Sequence, residues 1–90
     1  MNAFVAKQFG SNLAYCRRRA KLSQEELSFR ASLHRTEISL LERGCRIPRI
    51  DTLVKLAGAV GVSADELLDG LDWEPGAMVA GSFHFDGEEP

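Results

Sequence analysis

The segment Leu22 to Gly44, LSQEELSFRASLHRTEISLLERG, decides how this chain is read. Ser23-Gln24-Glu25-Glu26 has the form of a capping box, in which the serine oxygen accepts from a first-turn amide and Glu26 reaches back to the serine N–H. A short helix starts there and runs to about Ala31. A few residues later Arg35 opens a second short helix, reaching about Arg43, with Gly44 placed to stop it in a left-handed conformation. The 3.6-residue period turns Ile38 and Leu41 inward and brings Arg35, Thr36, Ser39, Leu40 and Arg43 together on the opposite face.

Outward from this segment the helical pattern continues on both sides. Phe9, Leu13, Cys16 and Ala20 recur at spacings of four, three and four, which predicts an amphipathic helix. Arg17 to Arg19 lie near its end, where cations complement the helix dipole. Downstream, Pro48 in CRIPRI cannot lie inside a helix, so the fourth helix is predicted to begin at about Asp51 or Thr52. It buries Leu53, Leu56, Ala57 and Val60 and ends at Gly61. Ser63-Ala64-Asp65-Glu66 is a second capping box, opening a fifth helix that offers Leu67, Leu68 and Leu71 to the core.

Beyond Gly70 the helical signals fade. LDWEPGAMVAGSFHFDGEEP carries Pro75, three interior glycines and a loose alternation at Val79, Gly81, Phe83 and Phe85 that reads as one strand or an extended arm. Trp73, Phe83 and Phe85 need a dry surface, on the domain itself or on the matching tail of a second chain; the sequence leaves both open. The expected architecture is all-α, a five-helix domain over residues 1–71, followed by an acidic, aromatic tail over residues 72–90 that is extended or forms a single strand.

Ninety residues suffice for one small core but not for a roomy cavity between two lobes, which counts against an enzyme. The 44% apolar and 27% charged composition is that of a globular domain. MNAFVAKQFGSN lacks a charged n-region followed by an apolar run, and no stretch of about 18 apolar residues is present. The expectation is residence in the cytoplasm, without a membrane partner. Cys16 and Cys45 have no C-x-x-C or zinc-finger spacing, so Cys16 is expected as a core residue and Cys45 as a reduced surface thiol. His34 and His84 belong to no triad or metal pattern. No catalytic residue, metal or cofactor is expected.

The net charge of −2 conceals an asymmetry. Residues 1–49 carry ten basic and four acidic side chains, whereas residues 50–90 carry one lysine and nine acids. A polyanion-facing end opposed by an acidic end is one reading of that separation, and a solvated surface is the other.

Two helices joined by a tight turn form a helix-turn-helix, in which the first braces against the nucleic-acid backbone and the second enters the major groove. Arg35 can donate twice to guanine O6 and N7, Thr36 and Ser39 can serve several bases, and Leu40 can meet a thymine methyl. Leu22-Ser23-Gln24-Glu25-Glu26-Leu27, then Thr36-Glu37-Ile38-Ser39-Leu40-Leu41-Glu42-Arg43-Gly44, Pro48 and Thr52-Leu53, resemble the Cro/repressor-type (XRE-like) helix-turn-helix family. The resemblance covers about Phe9 to Leu71 and implies a repressor-like DNA-binding domain.

By that resemblance Arg35, Thr36 and Ser39 occupy base-reading positions and Leu40 a groove-facing one. A phosphate contact for Arg35 and burial at a protein contact for Leu40 stay open. Gln24 matches the glutamine that bonds a phosphate and braces the reading helix. Arg43, Arg46 and Arg49 match phosphate contacts, and Arg17 and Glu42 match a structural salt bridge. Three positions depart from the pattern: Lys21 and Ser32 stand where glycine is frequent, and His34 where a serine or threonine cap is usual. The implied function is sequence-specific binding of double-stranded DNA by a small transcriptional regulator, as a homodimer on a palindromic operator. An antitoxin or adaptor that meets a protein partner through the tail, with DNA binding kept for autoregulation or lost, is the alternative.

Overall fold

A computed structural model describes residues 2–76 and 80–85. Its elements are α1 (Ala3–Arg19), α2 (Gln24–Ala31), α3 (Arg35–Glu42), α4 (Ile50–Val60), α5 (Ala64–Leu67), β1 (Leu71–Glu74) and β2 (Ser82–Phe85).

Each helix start has a local cause. α1 begins at Ala3 rather than near Phe9, because Asn2 Oδ1 accepts from the Val5 N–H at 3.2 Å and satisfies a first-turn donor. The added turns bury Ala6 on the same stripe as Phe9, Leu13 and Cys16. Ala20, expected on that stripe, is exposed: α1 has already ended and Ala20 is its C-cap. At α2 the capping box closes in both directions, Glu26 N–H to Ser23 Oγ at 3.0 Å and Ser23 N–H to Glu26 Oε1 at 2.8 Å. α4 starts at Ile50, immediately behind Pro48 and Arg49, and α5 is a single turn.

Helices this short are marginal alone and depend on tertiary packing. Phe9 and Leu13 from α1, Leu27 from α2, Ile38 and Leu41 from α3, Leu56 from α4 and Leu67 from α5 are all essentially inaccessible to solvent. α1 packs on α3 and α5, and α4 on α2 and α5, so α3 lies between α1 and α2 at one end of the bundle. Of the three leucines expected from the fifth helix only Leu67 enters the core. Leu68 is exposed and Leu71 half-buried, because the helix stops at Leu67 and the chain turns at Gly70.

The tail departs from the expected single strand. β1 and β2 pair antiparallel in the register Leu71↔Phe85, Asp72↔His84, Trp73↔Phe83 and Glu74↔Ser82. Four residues, LDWE, are too short for their alternation to stand out in sequence, so the partner strand went unread. Trp73 and Phe83, register partners on the two strands, meet edge to face with ring centroids 5.1 Å apart. Val79, part of the expected alternation, lies outside the described residues, as does the Phe85 side chain.

The bonds from Ser23 lower the Glu26 carboxyl below its ordinary value, the backbone N–H contributing most. A depressed carboxylate stabilises the fold above its unfolded-state pKa of about 4.3 and loses that contribution as pH falls through the folded value. Glu26→Gln should therefore flatten the pH dependence of the urea midpoint below about pH 4.3. An unchanged acid slope in Glu26→Gln would show that the cap does not contribute to it.

Candidate nucleic-acid interface

α3 is too short to hold its direction unaided, and its C-terminal end is fixed by one carboxylate. Glu42 Oε2 accepts from Arg17 Nε at 2.6 Å, and Glu42 Oε1 accepts from Arg17 Nη2 at 3.0 Å and from Gln24 Nε2 at 3.1 Å. Arg17 Nη1 donates to the Leu22 carbonyl at 2.8 Å. The bidentate pair is nearly buried, its side chains 12% and 6% exposed, so solvent screens it weakly. The bond to Glu42 raises the Arg17 pKa further, against the opposing effect of burial. α1, the chain entering α2, α2 itself and α3 thus converge on one group.

Two glycines let α1 close on the same end of α3. A Cβ at Gly10 would stand 2.4 Å from the Leu41 carbonyl oxygen and 2.7 Å from that of Glu42. Gly44 ends the helix at φ 72°, and a Cβ there would come within 2.8 Å of Lys7 Cγ. Gly10 reads in sequence as an ordinary mid-helix glycine; the close approach that requires it exists only across the α1/α3 contact.

The turn between α2 and α3 is left-handed at Ser32, φ 53° and ψ 45°, with the Leu33 N–H bonded to the Ser28 carbonyl at 2.9 Å. Lys21 is also left-handed, φ 60°. Both positions hold a side chain in a conformation that favours glycine. His34 caps α3 through its carbonyl only, without a side-chain bond.

On the outer face of α3, Arg35, Thr36 and Arg43 are exposed, and Ser39 and Leu40 are half-buried at its flank. The opposite face sends Ile38 and Leu41 fully into the core, so the helix cannot rotate without exposing them. Gln24 is half-buried, with one of its amide N–H groups on Glu42. Arg46 Nη1 reaches Glu37 Oε1 at 2.7 Å, tying the loop after α3 back to that helix. Arg49, the N-cap of α4, lies 3.3 Å from Asp51, both side chains largely in solvent. Glu37 and Asp51 are therefore each matched to an arginine, and among the described residues Arg35 and Arg43 form no salt bridge. Nothing local in the sequence links positions 37 and 46.

The arrangement is an exposed polar surface with cations around it. Among the described residues no three or more His, Cys, Asp or Glu side chains gather as a metal site. Among the described residues no helix is long and apolar enough to cross a membrane. Such a scaffold, a short braced helix presenting arginine and small hydroxyls, defines a helix-turn-helix of the DNA-binding class.

Comparison with known proteins agrees. A helix-turn-helix family model matches residues 13–67. The chain is 45% identical over 71 residues to an uncharacterized HTH-type transcriptional regulator of Sinorhizobium fredii, across 79% of this chain and 92% of that protein. It is 45% identical over 51 residues to the control protein C.BamHI of Bacillus amyloliquefaciens, across 57% of this chain and 63% of that protein. The crystal structure of the restriction-modification controller protein C.AhdI from Aeromonas hydrophila superposes with a TM-score of 0.67 at 35% identity, covering 69% of this chain and 94% of that one. The chain belongs to the helix-turn-helix family of transcriptional regulators, XRE type.

Two measurements check how α3 is held. Glu42→Ala strands the Arg17 guanidinium in a nearly dry site and should cost about 3–5 kcal/mol in denaturant unfolding; a loss under about 1 kcal/mol would mean that water reaches the pair. Ser32→Gly should instead raise stability by up to about 1 kcal/mol by relieving the left-handed side chain, and a loss would show that Ser32 is unstrained.

Proposed function

We propose that this protein binds double-stranded DNA sequence-specifically as a homodimer, with α3 in the major groove of each half of a palindromic operator. The observation that carries this reading is the outward face of Arg35, Thr36, Ser39 and Leu40 on a helix whose inner face is wholly buried. Arg35 stands at the leading end of α3, where a guanidinium reaches guanine O6 and N7; Thr36 and Ser39 offer hydroxyls, and Leu40 a methyl contact to thymine. Gln24, Arg43, Arg46 and Arg49 hold phosphates on either side and set the depth and angle of α3. The backbone amides that open α4 add donors beside Arg49.

One α3 of eight residues covers few base pairs, so selectivity requires two copies with half-sites about 34 Å apart. Exposed Ile47, Ile50 and Val54 around the start of α4, Leu68 after α5 and the tail aromatics offer apolar surface for that association. The likeness to C.BamHI and C.AhdI supports a control protein of the restriction-modification kind, acting in the cytoplasm.

Selection from a random duplex pool tests the reading as a whole: a two-fold symmetric consensus is expected, and recovery of unrelated sequences would overturn it. The residue roles separate in a binding titration. Arg35→Ala should cost about 1–3 kcal/mol on the selected site and relax one base position, while Arg49→Ala should weaken all duplexes alike and reduce the salt slope by about one. Identical effects of both substitutions on matched and mismatched sites would refute the assignment.

A further inference from the structure

α2 and α4 pack on each other and leave an open groove of about 410 Å³, lined by Arg30 and Ala31 from the end of α2 and by Val54, Lys55, Gly58 and Ala59 of α4. The spacing of the four α4 residues puts them on one side of that helix. Ala31 and Ala59 are buried beneath it, while Val54, Lys55 and Gly58 are exposed. The proposed DNA contact does not use this groove. Arg30 lies toward the opposite end of α2 from Gln24, and Gly58 and Ala59 toward the opposite end of α4 from Arg49. Nor does internal packing account for Gly58. Glycine inside a helix is unfavourable relative to alanine, and a Cβ at this position would meet nothing within 4 Å. Its missing side chain instead deepens the groove.

The polar rim is basic. Arg30 Nε donates to the Ala59 carbonyl at 2.7 Å, which fixes the guanidinium plane and presents its two terminal amino groups as a fork suited to a carboxylate. Among the described residues neither Arg30 nor Lys55 forms a salt bridge, and no acid lines the groove. The two cations therefore complement an occupant that is negatively charged at its edges and apolar between them. Both walls are helices whose backbone groups are already hydrogen-bonded, so an extended strand would find no edge to pair with. An amphipathic helix needs only apolar contact and flanking charge. A small molecule would stay largely in solvent in so open a groove, whereas ligand clefts bury most of their ligand.

We propose that the α2/α4 groove docks an acidic amphipathic helix of a partner protein. Its apolar stripe lies on Val54, Gly58 and the two alanines, and its carboxylates meet Arg30 and Lys55. The fixed guanidinium lowers the entropy lost on binding. Of the apolar surface that the DNA reading offers to self-association, this contact uses Val54 alone.

The test sets the full chain against a display library of random peptides of about 16 residues, roughly four helical turns. Enriched peptides should carry apolar residues three or four positions apart, flanked by Asp and Glu, and should shift the amide resonances of residues 30–32 and 54–59. Lys55→Glu should weaken them about tenfold. Gly58→Leu, whose Cβ has open space, should keep the native circular dichroism and melting transition yet abolish peptide binding. Both variants should bind the selected duplex as the native chain does, which separates failure of this proposal from failure of the DNA reading. The proposal is overturned if no peptide family is enriched, if the enriched peptides lack acids, or if they bind Lys55→Glu and Gly58→Leu as tightly as the native chain. Enrichment that appears only when Glu88→Lys and Glu89→Lys are introduced would assign the groove to the chain's own acidic end. A self-associated species lost in Gly58→Leu, followed by sedimentation, would assign it to a second copy. Either result overturns the proposal.

Discussion

The carboxylate of Glu42 holds this structure in register. It lies at the end of a helix with barely two turns, and it collects a bidentate guanidinium from α1 and an amide from α2. Arg17 in turn bonds the Leu22 carbonyl, so the chain entering α2 is held by the same group. A buried ion pair repays its desolvation only when its geometry is good and its remaining donors are satisfied, and here the three guanidinium nitrogens each have an acceptor. The consequence is directional. α3 has one angle relative to α1 and α2 at which both Glu42 and the inward Ile38 and Leu41 are accommodated, and at that angle Arg35, Thr36 and Ser39 face away from the protein.

Close packing enforces the same angle from the other side. Gly10 allows the α1 backbone to approach the last carbonyls of α3, and Gly44 lets the chain leave α3 against Lys7. A short helix fixed by an ion pair alone could pivot about it. One fixed by the pair and by a backbone contact with no room for a methyl group cannot. Under the proposed function this rigidity matters, because discrimination between bases depends on hydrogen-bond geometry, which a loosely held helix would not maintain.

The local chemistry is less favourable than the packing. Lys21 and Ser32 carry side chains at positive φ, and His34 caps α3 without a side-chain bond. Each is a small local cost, about 1–2 kcal/mol for a left-handed side chain. The surrounding core over-determines the backbone and imposes the turn geometry without glycine. The charge layout follows the same division between local and global: Glu37 and Asp51 lie within the basic region but are each occupied by an arginine, so the surface around α3 keeps a positive balance that the overall charge of −2 hides.

The sequence by itself determined the helical class, the two brief helices joined by a tight turn and the outward set of residues on α3, because these follow from periodicity, capping and turn chemistry within a few residues. Gly44 and Gly61 end their helices in the left-handed conformation as their positions indicated. Only the tertiary structure decided the rest. The start of α1 rested on a single asparagine bond, the hairpin on a strand too short to show a period, and the role of Gly10 on a helix met thirty residues later. The partnership of Arg46 with Glu37 likewise arises from elements brought together by the core. Contacts across long sequence separations leave no local pattern, since each partner taken alone satisfies its own neighbourhood equally well.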